Sequence, residues 1–272
     1  MINEKKSKLV GIIRELESVV IGLSGGVDST LIAKLCIDHL DAENVWVVAG
    51  DSKSVPTEEL EYCKDIASWL KLPADHFTVI ETKELENPSY TANPENRCYY
   101  CKHELFTKLS VYAKKVGARY IVDGSNVSDL DEYRPGMQAG KELKLQSPFI
   151  EAGFTKEDIR ALAKEQGLPN WDKPATPCLS SRIPYHSEVT PEKLDQIAAA
   201  ERCLKSLGFR QFRVRHHGQI ARLEVEDFDL ILKSDIKNKI DKELKGLGFT
   251  YISVDLEEFR SGSLNVELKE RK

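Results

Sequence analysis

The feature that most constrains the fold of this chain is a regular alternation of short Val- and Ile-rich runs with longer amphipathic segments. SVVIGL (18–23) leads into DSTLIAKLCIDHL (28–40), NVWVVAGD (44–51) leads into PTEELEYCKDIASWLKL (56–72), and DHFTVIE (75–81) follows. Repeated units of strand, helix and strand place apolar strands side by side in a parallel sheet that helices cover on both faces. The sequence therefore predicts an α/β domain built on a parallel sheet.

The same pattern extends beyond the first three strands. A helix is predicted at 98–117 and a strand at 119–125. A further helix is predicted to begin at Thr155, because Asp158 three residues later completes a capping signature, and to end at Gly167. The α/β domain thus extends to at least residue 167.

A change of composition separates a second domain from the first. The stretch WDKPATPCLSSRIPY (171–185) carries three prolines and has no clear period. We place the boundary within it, which gives domains at 1–182 and 183–272. Thr190 followed by Pro191 then starts a new helix. The second domain is predicted to be a small α+β domain, with strands at 211–216, 219–226 and 250–255 and a second helix near 235–246.

Charge and hydropathy exclude some functional classes. The 39 Lys and Arg residues against 44 Asp and Glu residues give a net charge of −5, which argues against a protein that holds nucleic acid mainly on a basic face. No apolar run approaches the roughly 18 to 20 residues of a membrane helix, and the N-terminal residues lack the apolar core of a signal peptide. We therefore expect a cytoplasmic protein with no membrane partner.

A glycine-rich turn, LSGGVDST (23–30), stands between the first predicted strand and the next helix. Two glycines allow a sharp turn and the close approach of a ligand, and the N–H groups of a helix N-terminus favour an anion such as phosphate. The lysine of the G-x-x-x-x-G-K-[ST] loop is missing, so this is not the usual kinase or GTPase loop. The candidate nucleotide-binding residues are Ser24, Gly25, Gly26, Asp28, Ser29 and Thr30.

Six cysteines in 272 residues are too few for a disulfide scaffold. Cys98 and Cys101 open a predicted helix, where thiolates are favoured, and Cys178 follows in the proline-flanked loop. This pattern is compatible with zinc, with a redox dithiol, or with a [4Fe–4S] cluster whose fourth iron carries an exogenous sulfide; Cys178 alone could donate its own sulfur. The other three are expected to be buried small hydrophobes: Cys36, Cys63 and Cys203.

Charged residues of the second domain are candidate ligands for an anion. Arg213 and Arg215 share one face of a predicted strand, where they either grip phosphate or carboxylate or form a solvated face. Glu201 falls inside the apolar stripe of its helix, so it needs a partner, for which we expect Arg213 or Arg215. The histidines, His216 and His217 included, are expected to be surface or turn residues without a catalytic role. Further candidate ligands are Glu224, Ser181, Arg182 and Arg134.

The segment SGGVDST resembles the PP-loop of the N-type ATP pyrophosphatases, which cleave ATP to AMP and pyrophosphate and thereby adenylate a substrate. More widely, the chain resembles the LarE family of sulfur transferases, which help to build the nickel-pincer nucleotide cofactor of lactate racemase. The segments that carry this resemblance are DGSNVSDLDEYRPG (123–136), PCLSSRIPY (177–185), FRVRHHGQIARLE (212–224) and FRSG (259–262). It implies an adenine nucleotide alpha hydrolase-like fold with ATP and Mg²⁺, in which Asp28 helps to hold Mg²⁺, caps the helix, or does both.

The resemblance also implies a reaction. A carboxylate of a pyridinium dicarboxylate mononucleotide is adenylated, a sulfur nucleophile displaces AMP, and breakdown of the adduct leaves a thiocarboxylate. Family members with one cysteine, at the position of Cys178, sacrifice its sulfur, whereas members that also match Cys98 and Cys101 are assigned a [4Fe–4S] cluster. We therefore expect a cluster on these three cysteines, sulfide or another sulfur donor as a partner, and a homo-oligomer.

Two other functions stay open at this point. A tRNA thiolase could use the same turn and a three-cysteine cluster, but it would need a basic RNA surface. A non-catalytic zinc or nucleotide-binding module would keep the turn without cleaving ATP. Independently of the function, Arg134 fits a surface salt bridge as well as it fits a ligand contact.

Overall fold

A computed structural model of the chain describes residues 2–131, 133–260 and 262–265. Ser261, which belongs to the FRSG segment, lies outside the described residues. Within the described part of the chain, no helix has both the length and the apolar character needed to cross a membrane.

The chain forms two compact units, which consist of Met1–Asn87 with Asn96–Thr176 and of Pro88–Glu95 with Pro177–Lys272. The division precedes Pro177, whereas the sequence suggested a boundary between 182 and 183. Residues 177–182 join the second unit because Arg182 makes two hydrogen bonds of 2.9 Å to the carboxylate of Glu201.

A short segment of the first predicted domain also belongs to the second unit. The side-chain amide of Asn93 holds this segment, because it donates hydrogen bonds to three backbone carbonyl groups between residues 183 and 187. These are the carbonyls of Ile183, Pro184 and Ser187. Nothing in the local pattern of residues 88–95 indicates this long-range attachment.

The first unit is built on four parallel strands. They are β1 (Val19–Leu23), β2 (Val45–Asp51), β3 (Phe77–Glu81) and β4 (Tyr120–Val122). Their spatial order is β3-β2-β1-β4 and every pair is parallel, as predicted. The last strand is shorter than the predicted 119–125, because Asp123 accepts hydrogen bonds from the N–H and hydroxyl of Ser125 and turns the chain into a loop.

Helices cover both faces of this sheet. Val19 and Ile21 of β1 point into one apolar core, and the intervening Val20 points into the other, where it meets Leu109. This alternation is what a strand covered on both faces requires. The helices of this unit are α1 (Ile2–Glu15), α2 (Val27–Leu40), α3 (Thr57–Trp69), α5 (Arg97–Val116), α6 (Gly136–Glu142), α7 (Pro148–Ala152) and α8 (Lys156–Glu165), while α4 (Pro88–Thr91) lies in the second unit.

The strand order places a crevice at the carboxyl ends of β1 and β4. Strand β1 lies between β2 and β4, and α2 carries the chain from β1 toward β2. The connection from β1 runs toward β2 on one side, while β4 lies on the other side of β1, so the order of the strands reverses between β1 and β4. In open parallel sheets, ligands bind at such a topological switch point.

The second unit contains a three-stranded sheet with helices packed against it. Its further elements are α9 (Pro191–Ser206), β5 (Phe212–His217), β6 (Ile220–Val225), α10 (Phe228–Leu232), α11 (Ser234–Gly246) and β7 (Tyr251–Val254). Strands β5 and β6 are antiparallel, and β6 and β7 are parallel. The predicted strands are confirmed to within one residue at each end, whereas the short helix α10 was not predicted.

Candidate active site

The glycine-rich turn joins the carboxyl end of β1 to α2. Gly25 has a φ of +71°, a left-handed conformation that suits glycine. Gly26 is the N-cap of α2 and has no side chain that could bond the first-turn N–H groups. These N–H groups and the positive end of the helix dipole are thus positioned to bind an anion.

The hydroxyl groups of the turn hold the turn itself. Ser29 Oγ donates to the Gly26 carbonyl at 3.1 Å and accepts from the Ser24 N–H at 3.2 Å. Thr30 Oγ1 donates to the same Gly26 carbonyl at 2.9 Å, and Thr30 is fully buried. Ser24, Ser29 and Thr30 stay predicted nucleotide contacts; in this structure the hydroxyl groups of Ser29 and Thr30 hold the backbone of the turn.

Two side chains from the segment before the unit boundary hold the Gly25 carbonyl. Asn170 Nδ2 donates to this carbonyl at 3.1 Å and to Thr30 Oγ1 at 2.9 Å. Lys173 Nζ lies 3.4 Å from the same carbonyl and 2.7 Å from Glu59. Because the Gly25 carbonyl is held by these donors, the negative end of its peptide dipole is directed toward them.

Asp28 is the second residue of α2, so it is not the cap of this helix. Its Oδ2 accepts a hydrogen bond from Lys156 Nζ. Its Oδ1 is buried and has no hydrogen-bond partner among the described residues. Because a bound cation would satisfy such an oxygen, and Mg²⁺ prefers oxygen ligands, Asp28 fits the expected Mg²⁺ ligand.

The loop after β4 packs directly on the first turn of α2. A Cβ atom at Gly124 would lie 2.9 Å from both the Ser29 nitrogen and the Asp28 carbonyl carbon, so a larger residue would clash with backbone. The preceding Asp123 accepts a 2.8 Å hydrogen bond from Ser147 Oγ. The ends of β1 and β4 are thus brought together at the switch point.

Arg134 lies close to this region and pairs with a carboxylate. Its Nη1 lies 2.8 Å from Asp129 Oδ1, which is the salt bridge that the sequence left open as an alternative. Burial raises the pKa of Asp129, and the Asn126 N–H and the Arg134 charge partly oppose this rise. The charges of Asp28 and Lys156 also act on this pKa, so Asp129 belongs to the same electrostatic environment.

The C-x-x-C pair opens α5, as predicted. Cys98 is exposed and Cys101 is half-buried. The backbone of Gly136 packs beside this first turn, because a Cβ there would lie 2.9 Å from Lys102 Cγ and 3.4 Å from the Cys98 carbonyl oxygen. The structure therefore brings the EYRPG segment, which contains Arg134, next to the cysteine pair.

Cys178 stands at the start of a short 3-10 turn, Leu179–Arg182, in the second unit. Its carbonyl accepts hydrogen bonds from the Ser181 N–H at 3.0 Å, from Ser181 Oγ at 2.8 Å and from Arg182 Nη1 at 3.0 Å. These bonds fix the backbone of Cys178, while its side chain is half-buried. Ser181, a predicted ligand of the nucleotide, directs its hydroxyl proton to this backbone.

The six cysteines, all within the described residues, carry thiols and no disulfide bond. Burial raises the pKa of Cys36 far above its ordinary value and that of Cys63 to about 11, so both are inert at neutral pH. Cys203 is half-buried rather than buried as expected, and burial raises its pKa too. Among the described residues, no three His, Cys, Asp or Glu side chains converge as a metal-binding group.

Glu201 has a partner that the sequence did not suggest. Arg182 donates to both oxygens of this carboxylate at 2.9 Å, and the Val214 N–H donates to one of them at 3.1 Å. The prediction of Arg213 or Arg215 as its partner is wrong, because the 3-10 turn brings Arg182 to α9 instead. Arg182 is 1% exposed, so it acts here as a brace that ties the Cys178 turn to α9.

Arg215 and Glu224 form a second buried pair. Arg215 Nε and Nη2 donate to the two oxygens of Glu224 at 2.9 and 2.8 Å, and Nη1 donates to the Ser181 carbonyl at 2.6 Å. Arg222 Nη2 and Ser263 Oγ add hydrogen bonds to the same carboxylate. Burial raises the pKa of Glu224, but these hydrogen bonds and charges outweigh it, so the net pKa is below its ordinary range.

A cavity of about 250 Å³ adjoins this pair within the second unit. It carries both signs of charge and has room for one small charged group rather than a long chain. The charged residues that line it are Arg182, Arg215, Arg222, Arg260, Glu224, Asp255, Glu257 and Glu258.

Arg213 lies on β5 two residues before Arg215, as expected, whereas the position of His216 differs from the expectation. Burial, and then the charge of Arg182, lower the pKa of Arg213 to about 10, and its guanidinium stacks 4.9 Å from the Phe259 ring. His216 is 6% exposed and bonds Gln196, so the expectation of a surface histidine is wrong. The reason is that β5 continues through His216 and turns this side chain toward the core.

Sequence reasoning missed several residues that shape the phosphate turn. Asn170 lies next to, and Lys173 within, the segment 171–185 in which we place the domain boundary, and Lys156 follows the predicted capping residue Thr155. The ammonium group of Lys156 bonds Asp28, and no local pattern in the sequence indicates this contact. None of the three is near the turn in sequence.

A parallel sheet with a glycine-capped helix N-terminus at its switch point, in a turn of the sequence SGGVDST, defines a PP-loop ATP pyrophosphatase. In agreement with this class, the NAD synthase family model matches residues 5–97. The chain is also 36% identical over 264 residues to the pyridinium-3,5-bisthiocarboxylic acid mononucleotide synthase of Lactiplantibacillus plantarum, covering 96% of this chain and 94% of that protein. It belongs to the family of that synthase, the LarE family.

Two other relatives match different shares of the chain. An uncharacterised protein of Synechocystis sp. is 42% identical over 267 residues, which cover 97% of this chain and 98% of that protein. The tRNA-specific 2-thiouridylase of Dichelobacter nodosus is 25% identical over 189 residues, which cover 57% of this chain and 50% of that enzyme. The thiouridylase resemblance is thus distant and partial.

Proposed function

We propose that this chain is an ATP-dependent sulfur transferase that converts the carboxylates of a pyridinium dicarboxylate mononucleotide into thiocarboxylates. The product serves the biosynthesis of the nickel-pincer nucleotide cofactor of lactate racemase. The observation that carries this proposal is the match along 96% of the chain to a bisthiocarboxylic acid mononucleotide synthase. An anion-binding turn at the switch point supplies the matching chemistry.

The first step is adenylation of the substrate. A carboxylate oxygen attacks the α-phosphorus of ATP, the bond to the β-phosphate bridge breaks, and pyrophosphate leaves with that electron pair. The turn around Gly25 and Gly26 would bind the leaving phosphates through backbone N–H groups. Asp28 would hold Mg²⁺ through Oδ1, and the ion would neutralise charge on the phosphates.

The second step transfers sulfur. A sulfur nucleophile attacks the carbonyl carbon of the acyl adenylate, a carbon–sulfur bond forms, and AMP leaves with the electrons of the carbon–oxygen bond. AMP is a far better leaving group than the oxide of a free carboxylate, which is why ATP is consumed. Two rounds convert both carboxylates.

We propose that Cys98, Cys101 and Cys178 provide the sulfur site. Cys98 is exposed, and Cys101 and Cys178 are half-buried, in contrast to the buried Cys36 and Cys63. Thiolates are the ligands of iron–sulfur clusters, so the donor set fits a [4Fe–4S] cluster. A bound cluster would supply sulfide from an external donor; the alternative is that Cys178 gives up its own sulfur and becomes dehydroalanine.

The anionic groups of the pyridinium nucleotide would bind in the second unit. Its cavity is lined by Arg215 and Arg222, and the lowered pKa of Arg213 reflects burial and neighbouring positive charge. A bound phosphate or carboxylate would relieve this repulsion. The buried pairs of Arg182 with Glu201 and of Arg215 with Glu224 would then shape this site, and Ser181 would hold the Cys178 turn. Arg134, which pairs with Asp129 in the first unit, stays a candidate contact for the nucleotide there.

We also propose that the protein is a homo-oligomer of the cytoplasm. Reducing conditions there keep thiols such as these from forming disulfides. The second unit exposes several large apolar side chains at and near β7, which a second copy could cover. These are Ile220, Tyr251, Val254 and Leu256.

An anaerobic assay tests the function. The protein is incubated with ATP, Mg²⁺, the pyridinium dicarboxylate mononucleotide and sulfide, and products are measured by mass spectrometry. We expect AMP, pyrophosphate and thiocarboxylate. Cys178→Ala should still release pyrophosphate but form no thiocarboxylate, whereas Cys203→Ala, a half-buried thiol in α9, should do both.

The same assay separates the two sulfur sources. With a cluster, product exceeds one sulfur per chain and the mass of Cys178 is unchanged. With sacrifice of Cys178, product stops at one sulfur per chain and the protein loses the mass of H₂S. Absence of substrate-dependent pyrophosphate release would contradict the proposed function as a whole.

A further inference from the structure

The segment 88–95 leads directly into the C-x-x-C pair, yet it belongs to the second unit. It contains the single-turn helix α4, and α5 begins two residues after its end, at Arg97. The proposed sulfur site requires Cys98 and Cys101, near the start of α5, to act with Cys178, which lies far along the chain in the second unit. The contacts of this segment therefore bear on how the three thiols are brought together.

Tyr90 attaches the first half of the segment to the turn that follows Cys178. Its side chain is 1% exposed, and its hydroxyl lies 2.6 Å from the hydroxyl of the fully buried Ser180. A buried phenol hydroxyl needs a hydrogen-bond partner. Here one partner lies only two residues after Cys178, within the 3-10 turn Leu179–Arg182.

Asn93 attaches the second half of the segment to the loop beyond this turn. It is fully buried, and its φ of +55° is a left-handed conformation that asparagine tolerates better than most residues. Besides the three hydrogen bonds of its amide, its carbonyl accepts from the His186 N–H at 2.9 Å. The Val189 N–H donates to the Thr91 carbonyl at 2.8 Å. Backbone and side-chain bonds together thus fasten the segment to the loop that carries Cys178.

Covalent geometry limits how far the cysteine pair lies from this attachment. Cys98 follows Asn93 by five residues, so their Cα atoms are at most roughly 18 Å apart. Closing a long loop costs conformational entropy, and the chain between Cys101 and Cys178 is such a loop. An attachment close to both ends of this loop lowers the entropic cost of bringing the thiols together.

We propose that Tyr90 and Asn93 are positioning residues of the sulfur site, which hold the C-x-x-C pair within reach of Cys178. The proposal rests on the proposed function, because it takes these three cysteines as the sulfur site. Both residues act through the backbone of the segment that leads into α5, and neither is required to touch sulfur or substrate. Three thiolates that bind one iron–sulfur cluster must converge, and the attachment supplies this convergence.

A purely structural role makes a different prediction. If Tyr90 and Asn93 only stabilised the second unit, their loss would lower the temperature of unfolding without changing the proximity of the cysteines. Positioning residues instead set the effective concentration of one thiol near another. This quantity can be measured in the metal-free protein, without substrate or turnover.

Cross-linking of the metal-free full chain with dibromobimane tests the proposal. Two neighbouring thiolates each displace one bromide of this reagent, and peptide mapping by mass spectrometry identifies the linked cysteines. In the unaltered protein we expect links from Cys178 to Cys98 or Cys101. Tyr90→Phe, which removes only the hydroxyl, should lower their yield about threefold. Asn93→Gly, which keeps the positive φ but removes the amide, should lower it about tenfold.

Two controls separate positioning from loss of structure. The link between Cys98 and Cys101 depends on the start of α5 alone, so its yield should be the same in every variant. Tyr112→Phe alters a half-buried tyrosine further along α5 that packs against an apolar core. This variant should leave the yield of every link unchanged.

Equal yields of the Cys178 links in Tyr90→Phe, Asn93→Gly and the unaltered protein would overturn the assignment. So would the absence of these links from the unaltered protein, or a parallel fall of the Cys98–Cys101 link in the variants, which would reduce the two residues to a stabilising role. If Asn93→Gly fails to fold, as its thermal unfolding would reveal, the isosteric Tyr90→Phe carries the comparison. The proposed function fails on a different result, the absence of substrate-dependent pyrophosphate release, which cross-linking does not measure.

Discussion

The phosphate turn of the first unit and the arginine set of the second unit both suggest anion binding in the sequence, yet their donors are in different states in the structure. In the turn, the helix N-terminus has a glycine cap and its hydroxyls only brace the backbone. In the second unit, Arg182 and Arg215 already grip Glu201 and Glu224 with two hydrogen bonds each.

This difference has a physical cause. Backbone N–H groups at a helix N-terminus gain a partner within the protein when the side chain of the cap residue supplies one. A glycine cap has no such side chain, so it leaves these N–H groups available to an anion, and this property can be read from the sequence. An arginine pairs with whatever carboxylate the fold brings near, and buried carboxylates require such a partner. An arginine pattern therefore does not distinguish a ligand contact from an internal brace.

The largest effect should come from breaking the brace. Arg182→Met would leave the carboxylate of Glu201 buried without its partner and would free the Cys178 turn, at a cost of about 3–5 kcal/mol in the free energy of unfolding. Urea denaturation measures this cost. The double variant Arg182→Met, Glu201→Leu should recover part of the loss, because it removes the uncompensated charge.

The control for this prediction is an exposed ion pair. Asp38→Ala removes the partner of Lys34 on the surface of α2 and should cost only about 0.3–0.5 kcal/mol. If Arg182→Met cost as little as Asp38→Ala, Arg182 would not be a brace, and its guanidinium would again be a candidate for contact with substrate.

A smaller loss of stability is expected when the hydrogen bonds from Asn170 to the phosphate turn are removed. Asn170→Ala removes the donor that the Gly25 carbonyl and Thr30 share, and leaving buried polar groups without this bond costs about 1–3 kcal/mol. The KM for ATP should rise about tenfold in a pyrophosphate-release assay. Asn44→Ala is the matched control, because Asn44 donates to the Leu40 carbonyl at the far end of α2 and should leave this KM unchanged.

A comparable or slightly smaller loss should follow from Gly25→Ala. The φ of +71° costs a residue with a Cβ about 1–2 kcal/mol, and this Cβ would lie 3.3 Å from Cys63 Sγ. ATP affinity, measured by equilibrium titration, should therefore fall about five- to thirtyfold. The control is Gly11→Ala in α1, where no atom lies within 4 Å of the new Cβ, and it should leave ATP affinity unaltered. An equal loss of ATP affinity in both variants would contradict a role of the glycine-rich turn in ATP binding.

The smallest predicted effect is a pH dependence of the second unit. The pKa of Glu224 lies below its ordinary value, since the hydrogen bonds and charge of its partners outweigh the effect of burial. Such a group stabilises the fold above its unfolded pKa of about 4.3, and the contribution is lost as the pH falls through the lower folded pKa. Between about pH 5 and pH 3, the unfolding free energy of the unaltered protein should fall more steeply than that of Glu224→Gln. Parallel curves would mean that the partners of Glu224 do not lower its pKa in the folded protein.

Much of the fold could be predicted because its signals are local. The alternation of strands and helices, the Thr155 capping box and the Thr190 cap all depend on residues within a few positions of one another. The glycine-rich turn is equally local. These features are fixed by backbone geometry and by the spacing of apolar residues.

The rest of the site depends on long-range contacts that no local pattern encodes. Asn170 meets Gly25 from 145 residues away, and Lys156 meets Asp28 from 128 residues away. Glu201 needed a partner by its position in an apolar stripe, but several arginines could have supplied it. Only the path of the chain through the 3-10 turn selects Arg182.

The central claim, adenylation of a pyridinium dicarboxylate mononucleotide, is tested most directly by isotope exchange between labelled pyrophosphate and ATP. Exchange measures reversible formation of the acyl adenylate and needs no sulfur. We predict exchange that requires the pyridinium nucleotide and persists in Cys178→Ala. Exchange that is absent, or that proceeds equally well without this nucleotide, would contradict the account.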